Sequence, residues 1–314
     1  MTTIEHREAA ALVHPKVMER RRRPRRLFGG TWWRHAVGIG AAVISLFPIV
    51  YVVSAAFNAD SSISGSGLIP REITLDNFRT IFSNETPGTG GTAYTPYPRW
   101  YLNSILVASA TSILTVLLGA LAAYAFSRFR FRGRRMGMLT LLLIQMFPPF
   151  LAVVALYLIL LNTGRVFPAF GLNTLTGLML VYLGGAMGVN AWLMKGFFDT
   201  IPAELDESAR VDGATPAQIF WGVVLPLAAP VLAVVGILSF VGTLNEFILA
   251  KSLLQTTDNY TLPVGLQNYI DQQYSERWGP FAAGVLLAAI PVMVIVMSFQ
   301  RFFIRGLTQG AVKG

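Results

Sequence analysis

Glu207-Ser208-Ala209-Arg210-Val211-Asp212-Gly213-Ala214, continued by Val223-Val224-Leu225-Pro226, is carried by a polar stretch (195–222) set between two long apolar runs. Its local signals read as helix, sharp turn, helix. Asp199 or Thr200 can cap the first helix, and Pro202 falls near the first turn, where a missing N–H costs nothing. Glu204, Asp206 and Glu207 fall early, where carboxylates favour the positive end of the helix dipole. Gly213 supplies a residue able to take a left-handed turn and stop the helix. Thr215-Pro216 then repeats the cap-plus-proline start. Small Ser208, Ala209 and Ala214 leave room for a partner surface. Two readings stay open, a docking element or an ordinary connector between membrane helices, because capping signals do not separate them.

The flanking runs decide the fold class. The chain has 314 residues, 54% hydrophobic and 13% charged, whereas soluble domains run about 45–50% apolar and about 25% charged. A helix needs about 20 apolar residues to cross a bilayer. Six runs supply them: Trp33–Phe57, Leu102–Phe126, Met136–Leu161, Thr174–Met194, Val223–Ala250 and Phe281–Phe299. The sequence therefore predicts an all-α integral membrane protein with six transmembrane helices. Its parts are an extension at 1–31, a membrane domain at 32–304 and a tail at 305–314. Within the membrane domain lie a first loop at 58–101, the polar loop at 195–222 and a third loop at 251–280.

Charge orients these spans. Six spans put both termini on one side, and loops inside the cell carry an excess of Lys and Arg. Only Arg71, Arg79, Arg99, Arg165, Lys251 and Arg277 of the 25 basic residues fall on the other side. Both termini and the 195–222 loop are expected in the cytoplasm. The net charge of +9 includes the run Arg20–Arg26 just before the first span. That position reads as orientation and contact with anionic membrane lipid rather than nucleic-acid binding. The first apolar run is too long for a signal-peptide core and is expected to be retained.

Several chemistries lack their residues. No cysteine is present, so neither a disulfide framework nor a thiolate metal site arises. His6, His14 and His35 lie in or at the edge of the N-terminal tail. No G-x-x-x-x-G-K-[ST] phosphate loop occurs, and Gly88-Thr89-Gly90-Gly91-Thr92 lacks the lysine and reads as a flexible turn. Without His, Cys or paired carboxylates deep in the spans, an intramembrane enzyme has little to work with.

The outer loops are polar and aromatic. Asn84–Pro98 reads as part of a cap over the outer mouth. Gln255, Asp258, Asn259, Tyr260, Gln272, Gln273 and Tyr274 suit sugar or protein contacts, and equally a water-exposed loop at a membrane interface. Glu246 is the exceptional intramembrane acid. It reads as a residue near the outer end of the fifth span in contact with water. A proton-coupling site is the alternative, but no second intramembrane charge offers a relay. Pro48, Pro148, Pro149 and Pro291 allow kinks, and Gly184, Gly185 and Gly188 allow close helix contacts.

Glu207-Ser208-Ala209, three residues, Gly213, nine residues, then Val223-x-Leu225-Pro226 resembles the signature of ABC importer permeases. Ser208 replaces the usual second alanine and Val223 the usual isoleucine. Gln145-Met146-Phe147-Pro148, Val154-Ala155-Leu156-Tyr157, Gly171-Leu172-Asn173-Thr174 and Tyr182-Leu183-Gly184-Gly185 are similar to the smaller permease subunits of maltose/maltodextrin transporters. So are Tyr260-Thr261-Leu262-x-Val264-Gly265 and Gly306–Gly314. The similarity runs from about residue 40 to the C-terminus, which leaves the basic extension particular to this chain.

The resemblance implies the ABC type I importer permease fold in a bacterial cytoplasmic (inner) membrane. It implies a non-catalytic subunit working with a second, larger permease, two copies of an ABC ATPase and an extracytoplasmic sugar-binding protein. ATP and Mg would bind the ATPase, with no cofactor on this chain. The coupling segment would comprise Glu204, Glu207, Ser208, Ala209, Arg210, Asp212, Gly213, Ala214, Leu225 and Pro226. Gln309, Gly310 and Lys313 would reach toward the ATPase. Gln255, Thr256, Asp258, Asn259 and Tyr260 would meet the binding protein. The cargo would be a sugar of the maltose/maltodextrin kind or a related oligosaccharide. The alternative is an ion-coupled secondary transporter that needs no ATPase.

Overall fold

The computed structural model describes residues 32–60, 69–70, 72–83, 96–271 and 277–311; of these, the side chains of 149 and 299–311 are not described. The expectations placed on the Arg20–Arg26 run, His6, His14, the Gly88–Thr92 turn, Gln272–Tyr274 and Lys313 lie outside these residues. So does the part of the cap before Pro96. The chain divides into two compact units, 1–48 and 49–314. The boundary falls inside the first helix, α1 (Trp32–Phe57), next to its internal Pro48.

The first unit contributes the start of α1, which carries exposed apolar side chains such as Ile39 and Ile44. Exposure of this kind suits lipid rather than water. The second unit continues with α2 (Asp76–Phe82), α3 (Tyr97–Arg128), α4 (Arg134–Gln145) and α5 (Val153–Val166). Next come α6 (Leu175–Phe198), α7 (Ala203–Val211), α8 (Pro216–Leu227) and α9 (Ala229–Leu244). The last three are α10 (Ile248–Leu253), α11 (Leu262–Gln267) and α12 (Trp278–Ala311). Among the described residues there is no strand, only one isolated bridge between Asn58 and Ile73.

Four helices are long and apolar enough to cross a membrane unaided: α1, α3, α6 and α12. The other two expected spans are bent. The third breaks by 81° between α4 and the stretch Phe150–Val166. Pro148 and Pro149 explain this: each lacks an N–H donor and clashes with the preceding turn, so a 3₁₀ turn at Pro149–Ala152 replaces α-helix. The expected fifth span, Val223–Ala250, is likewise not one helix. Its start belongs to α8, which meets α9 at a 78° bend. A π-turn at Phe220–Val224 and the closely spaced Pro226 and Pro230 account for the irregularity. Counted as one span each, the bent pairs restore six.

α3 is the spine, packed along α6 and α9. Small residues allow the approach: Ala120 and Ala123 are fully buried, and a Cβ on Gly119 would sit 3.4 Å from Met194. Gly188 passes α4 so closely that a Cβ would lie 2.5 Å from the Leu141 carbonyl oxygen. Gly184 and Gly185, expected to serve the same purpose, have nothing within 4 Å. They border a cavity of about 810 Å³ instead.

One buried cluster gathers Tyr124, Phe198, Ile201, Ile219, Phe220 and their neighbours at the end of α3 that faces the polar loop. Another, around Tyr97, Trp100, Leu266 and Tyr269, fills the opposite end. There Gly265 runs against the Trp100 ring, with no space for a Cβ.

Candidate functional site

The polar loop folds as its local signals predict, except at its start. α7 begins after Pro202 with no side-chain cap. Thr200 Oγ1 instead donates back to the Phe197 carbonyl (2.7 Å), and Asp199 is taken by Lys195 and by Ser127 of α3. α6 also runs four residues past the expected end of its span, to Phe198.

The far end of α7 is a Schellman turn. Gly213 has φ +85°. Its N–H donates to Arg210 O (3.0 Å), and Ala214 N–H donates to Ala209 O (2.9 Å). Asp212 is the C-cap. A capping box then starts α8: Gln218 N–H donates to Thr215 Oγ1 (3.3 Å), and Thr215 N–H donates to Gln218 Oε1 (2.8 Å).

This geometry sorts the α7 residues into two faces. Ala209 and Ala214 are half-buried against the Tyr124–Phe220 cluster. Glu204, Glu207, Ser208 and Arg210 are exposed, and Ser208 Oγ donates only to Leu205 O within its own turn (3.1 Å). Leu205 and Val211 share the exposed surface, Val211 being 88% accessible. These two apolar side chains escaped sequence reading because nothing local distinguishes an exposed Val from a buried one. Leu225 and Pro226 are in α8, next to the 78° bend, and belong to the joint rather than to the α7 face.

Sequence reading also passed over Asp206 as a site residue and over Arg128 as its partner. Arg128 Nε lies 2.7 Å from Asp206 Oδ2, with the two side chains only 9% and 3% exposed. The N–H is not aligned on the oxygen, so the contact is an ion pair without a good hydrogen bond, and Asp206 Oδ1 has no hydrogen-bond partner among the described residues. Arg128 Nη2 adds a bond to Ile201 O (3.0 Å), and Tyr124 Oη donates to Pro216 O (3.2 Å). Removing one member of a buried pair costs about 3–5 kcal/mol, because the other charge is left unpaired. At Asp199, burial works against the charged form. Hydrogen bonds from Lys195 and Ser127, with the nearby Lys195 and Arg134 charges, outweigh it and hold the carboxyl below its usual range.

At the opposite end, Gln255–Tyr260 is pinned from two sides. Asn173, at φ +59°, accepts on Oδ1 from Gln255 N (2.8 Å) and Thr256 N (3.1 Å). Its carbonyl accepts from Asn259 Nδ2 (2.7 Å). From α3, Trp100 Nε1 donates to Thr257 O (2.7 Å) and Asn103 Nδ2 to the carbonyls of Asp258 and Tyr260. Arg99 pairs with Asp258 at 3.4 Å, and Lys251 lies over the Tyr260 ring. Gln255, Thr256 and Asp258 remain exposed, while Asn259 and Tyr260 are half-buried. Gln309 and Gly310 fall in the last turns of α12 rather than in a separate tail.

Glu246 sits at the break between α9 and α10, beside the 810 Å³ cavity. Its carboxylate accepts from Leu249 N (2.8 Å), Ala250 N (3.1 Å) and Tyr182 Oη (2.5 Å). Among the described residues no three His, Asp or Glu side chains come together as a metal-binding group.

Comparison with known proteins agrees with this architecture. The chain is 39% identical over 273 residues to the galactooligosaccharides transport system permease protein GanQ of Bacillus subtilis (strain 168), covering 87% of this chain and 92% of GanQ. It is 41% identical over 286 residues to the maltose/maltodextrin transport system permease protein MalG of Vibrio vulnificus (strain YJ016), covering 90% and 96%. A chain of the crystal structure of a bacterial ABC transporter that imports the acidic polysaccharide alginate has the same fold, with TM-score 0.61, 24% identity and coverage of 87% and 96%. Residues 115–309 match the family described as binding-protein-dependent transport system inner membrane component, and with these relatives the match establishes that the chain belongs to that family of multi-pass inner-membrane permeases.

Proposed function

We propose that this chain is a transmembrane permease subunit of an ABC importer that carries an oligosaccharide into the cytoplasm. The energy would come from ATP hydrolysis on a separate ATPase that holds ATP and Mg. The observation that carries this reading is α7. It is a short helix fixed at its back by a buried ion pair, stopped by Gly213, and presenting Glu204, Glu207, Ser208 and Val211 outward. A mere connector needs no such support.

The distribution of basic residues supports cytoplasmic termini and a cytoplasmic α7. The subunit then works with two ATPase copies and a second, larger permease. An extracytoplasmic binding protein meets Gln255–Tyr260 on the other side. The names of the relatives support an oligosaccharide cargo as a class, since they cover galactooligosaccharides as well as maltose and maltodextrin. ATP shifts the transporter between its two states only as far as it binds them differently, and α7 is the contact through which that difference is expressed.

The test is purification of the tagged chain from its native membrane, alongside Glu207→Lys and Gly213→Pro. An ATPase and a second permease are expected with the wild type. Both variants are expected to insert normally and to fail in uptake. Normal uptake in both variants removes the coupling role. A chain that purifies alone and transports alone replaces the whole reading with a secondary transporter.

A further inference from the structure

Resting on that reading, the structure goes further and identifies which span receives the movement of α7. The loop is covalently joined to α6 at one end and to α8 and α9 at the other. The second route passes through a π-turn and a 78° bend, both places where a helix yields. The firm lateral attachment is to α3, which is not adjacent in sequence. Tyr124, Ser127 and Arg128 stand at i, i+3 and i+4 on one face of its last turns. They hold the loop at Pro216, Asp199, Ile201 and Asp206. These four points include both ends of the loop and the middle of α7.

The most deeply placed grip is ionic. A buried pair is a poor stabiliser compared with packed apolar side chains, and its best-attested use is to fix one register. Here it fixes α7 against the end of α3.

We propose that Arg128, with Tyr124 and Ser127, is a positioning clamp that makes α3 and the 199–216 loop one rigid body. Displacement of α7 by the partner ATPase is then delivered to α3, and through it to α6 and α9, instead of being absorbed in the loop.

The chain has no cysteine, so Ser127→Cys/Asp199→Cys introduces its only pair. The full chain is assembled with its partners in vesicles loaded with ATP. If the clamp moves as a unit, the pair crosslinks on oxidation, and the oxidised and dithiothreitol-reduced forms import sugar at rates within twofold of each other. Loss of uptake by tenfold or more on oxidation, restored by the reductant, shows that the loop slides against α3 and overturns the proposal. Because a disulfide needs closer Cβ atoms than an Oγ–Oδ1 contact guarantees, a pair that does not oxidise directly is joined with a short bifunctional thiol crosslinker, and the same two outcomes in uptake decide.

Arg128→Met is expected to keep the ATPase bound and hydrolysing while sugar imported per ATP falls at least tenfold. Arg128→Lys, which retains the charge, is expected to recover part of that ratio. An unchanged ratio in Arg128→Met also refutes the clamp, and if that variant fails to assemble, the cysteine pair still decides. Absence of any ATPase from the wild-type preparation is a separate result, which removes the importer reading and not the packing of α3 on the loop.

Discussion

Replacing Gly213 by alanine isolates one term of the coupling element. Gly213 has φ +85°, and a Cβ built on it would meet nothing within 4 Å. The substitution therefore adds no clash with neighbouring residues, and its whole effect is backbone strain. For an L-residue the left-handed region costs about 1–2 kcal/mol. The turn cannot readily escape by unwinding, since that forfeits the bonds from Gly213 N to Arg210 O and Ala214 N to Ala209 O. At about 1 kcal/mol net each, those bonds roughly match the strain. The ratio of docking-ready to unwound loop then falls by a factor of about 5–30, and apparent affinity for the ATPase falls only as far as the ready fraction does, by about twofold where strain and bonds balance. Asparagine tolerates the left-handed region and a β-branched residue does not, so the expected order is Gly, Asn, Ala, Val. The assay is titration of detergent-solubilised chain with purified ATPase, followed by uptake in vesicles at saturating ATPase. Saturation should restore much of the alanine variant's uptake. Alanine equal to glycine in the titration, or better than asparagine, refutes the reasoning.

Other perturbations probe different elements. Gly265→Ala drives a methyl into the Trp100 ring, whose Nε1 is tied to Thr257 O. Overpacking of this kind costs about 1–3 kcal/mol, so a clear drop in the melting temperature of the purified protein is expected, whereas Gly184→Ala, inside α6 with open space around it, should leave it equal or slightly higher. Thr215→Ala removes the capping box at the start of α8. The cost of about 1 kcal/mol should speed hydrogen exchange at the Gln218 amide roughly fivefold. Asp199 titrates below its usual range, so its contribution is present above the ordinary aspartate pKa of about 3.9 and is lost as pH falls through the lower folded value. The difference in thermal stability between wild type and Asp199→Asn should be flat from pH 8 to pH 5 and shrink only in stronger acid. With Asp199 42% exposed, solvent screening keeps it small at every pH.

What could be read from sequence followed from how local each cause is. Gly213 and Thr215-Pro216 act within their own turns, and the helix stop and restart are where those residues put them. Asp206 and Glu207 are neighbouring acids with the same local chemistry. Which is buried depends on where Arg128 of α3 arrives, and no periodicity within 195–222 carries that information. The same holds for Asn173, which organises Gln255–Tyr260 through contacts distant in sequence. Hydropathy finds six apolar runs, which the structure matches when each bent pair is counted as one span, because it measures only apolar length. It missed the bend before α9 because the run from Val223 is apolar on both sides of Ala228, although Pro226 and Pro230 marked the place.

Glu246 tests the alternative of ion coupling most directly. An acid at membrane depth is a default candidate for proton transfer, and this one borders a large cavity. Its oxygens, however, accept from two backbone N–H groups at the start of α10 and from the Tyr182 hydroxyl. Those contacts hold the carboxylate in place, and none of them comes from a second Asp, Glu, His or Lys that could pass a proton onward in a relay. The role left is to satisfy backbone donors freed where the helix breaks, which in lipid have no water to turn to. Glu246→Gln keeps a carbonyl acceptor for those donors and cannot carry a proton. With internal ATP held constant, uptake by both wild type and Glu246→Gln should survive collapse of the proton gradient by a protonophore. Glu246→Ala should lower thermal stability by about 1–2 kcal/mol, as the loss of a capping acceptor does. If wild-type uptake instead collapses with the gradient and Glu246→Gln is inert, the carboxylate is a coupling site and the ATP-driven reading of this chain fails.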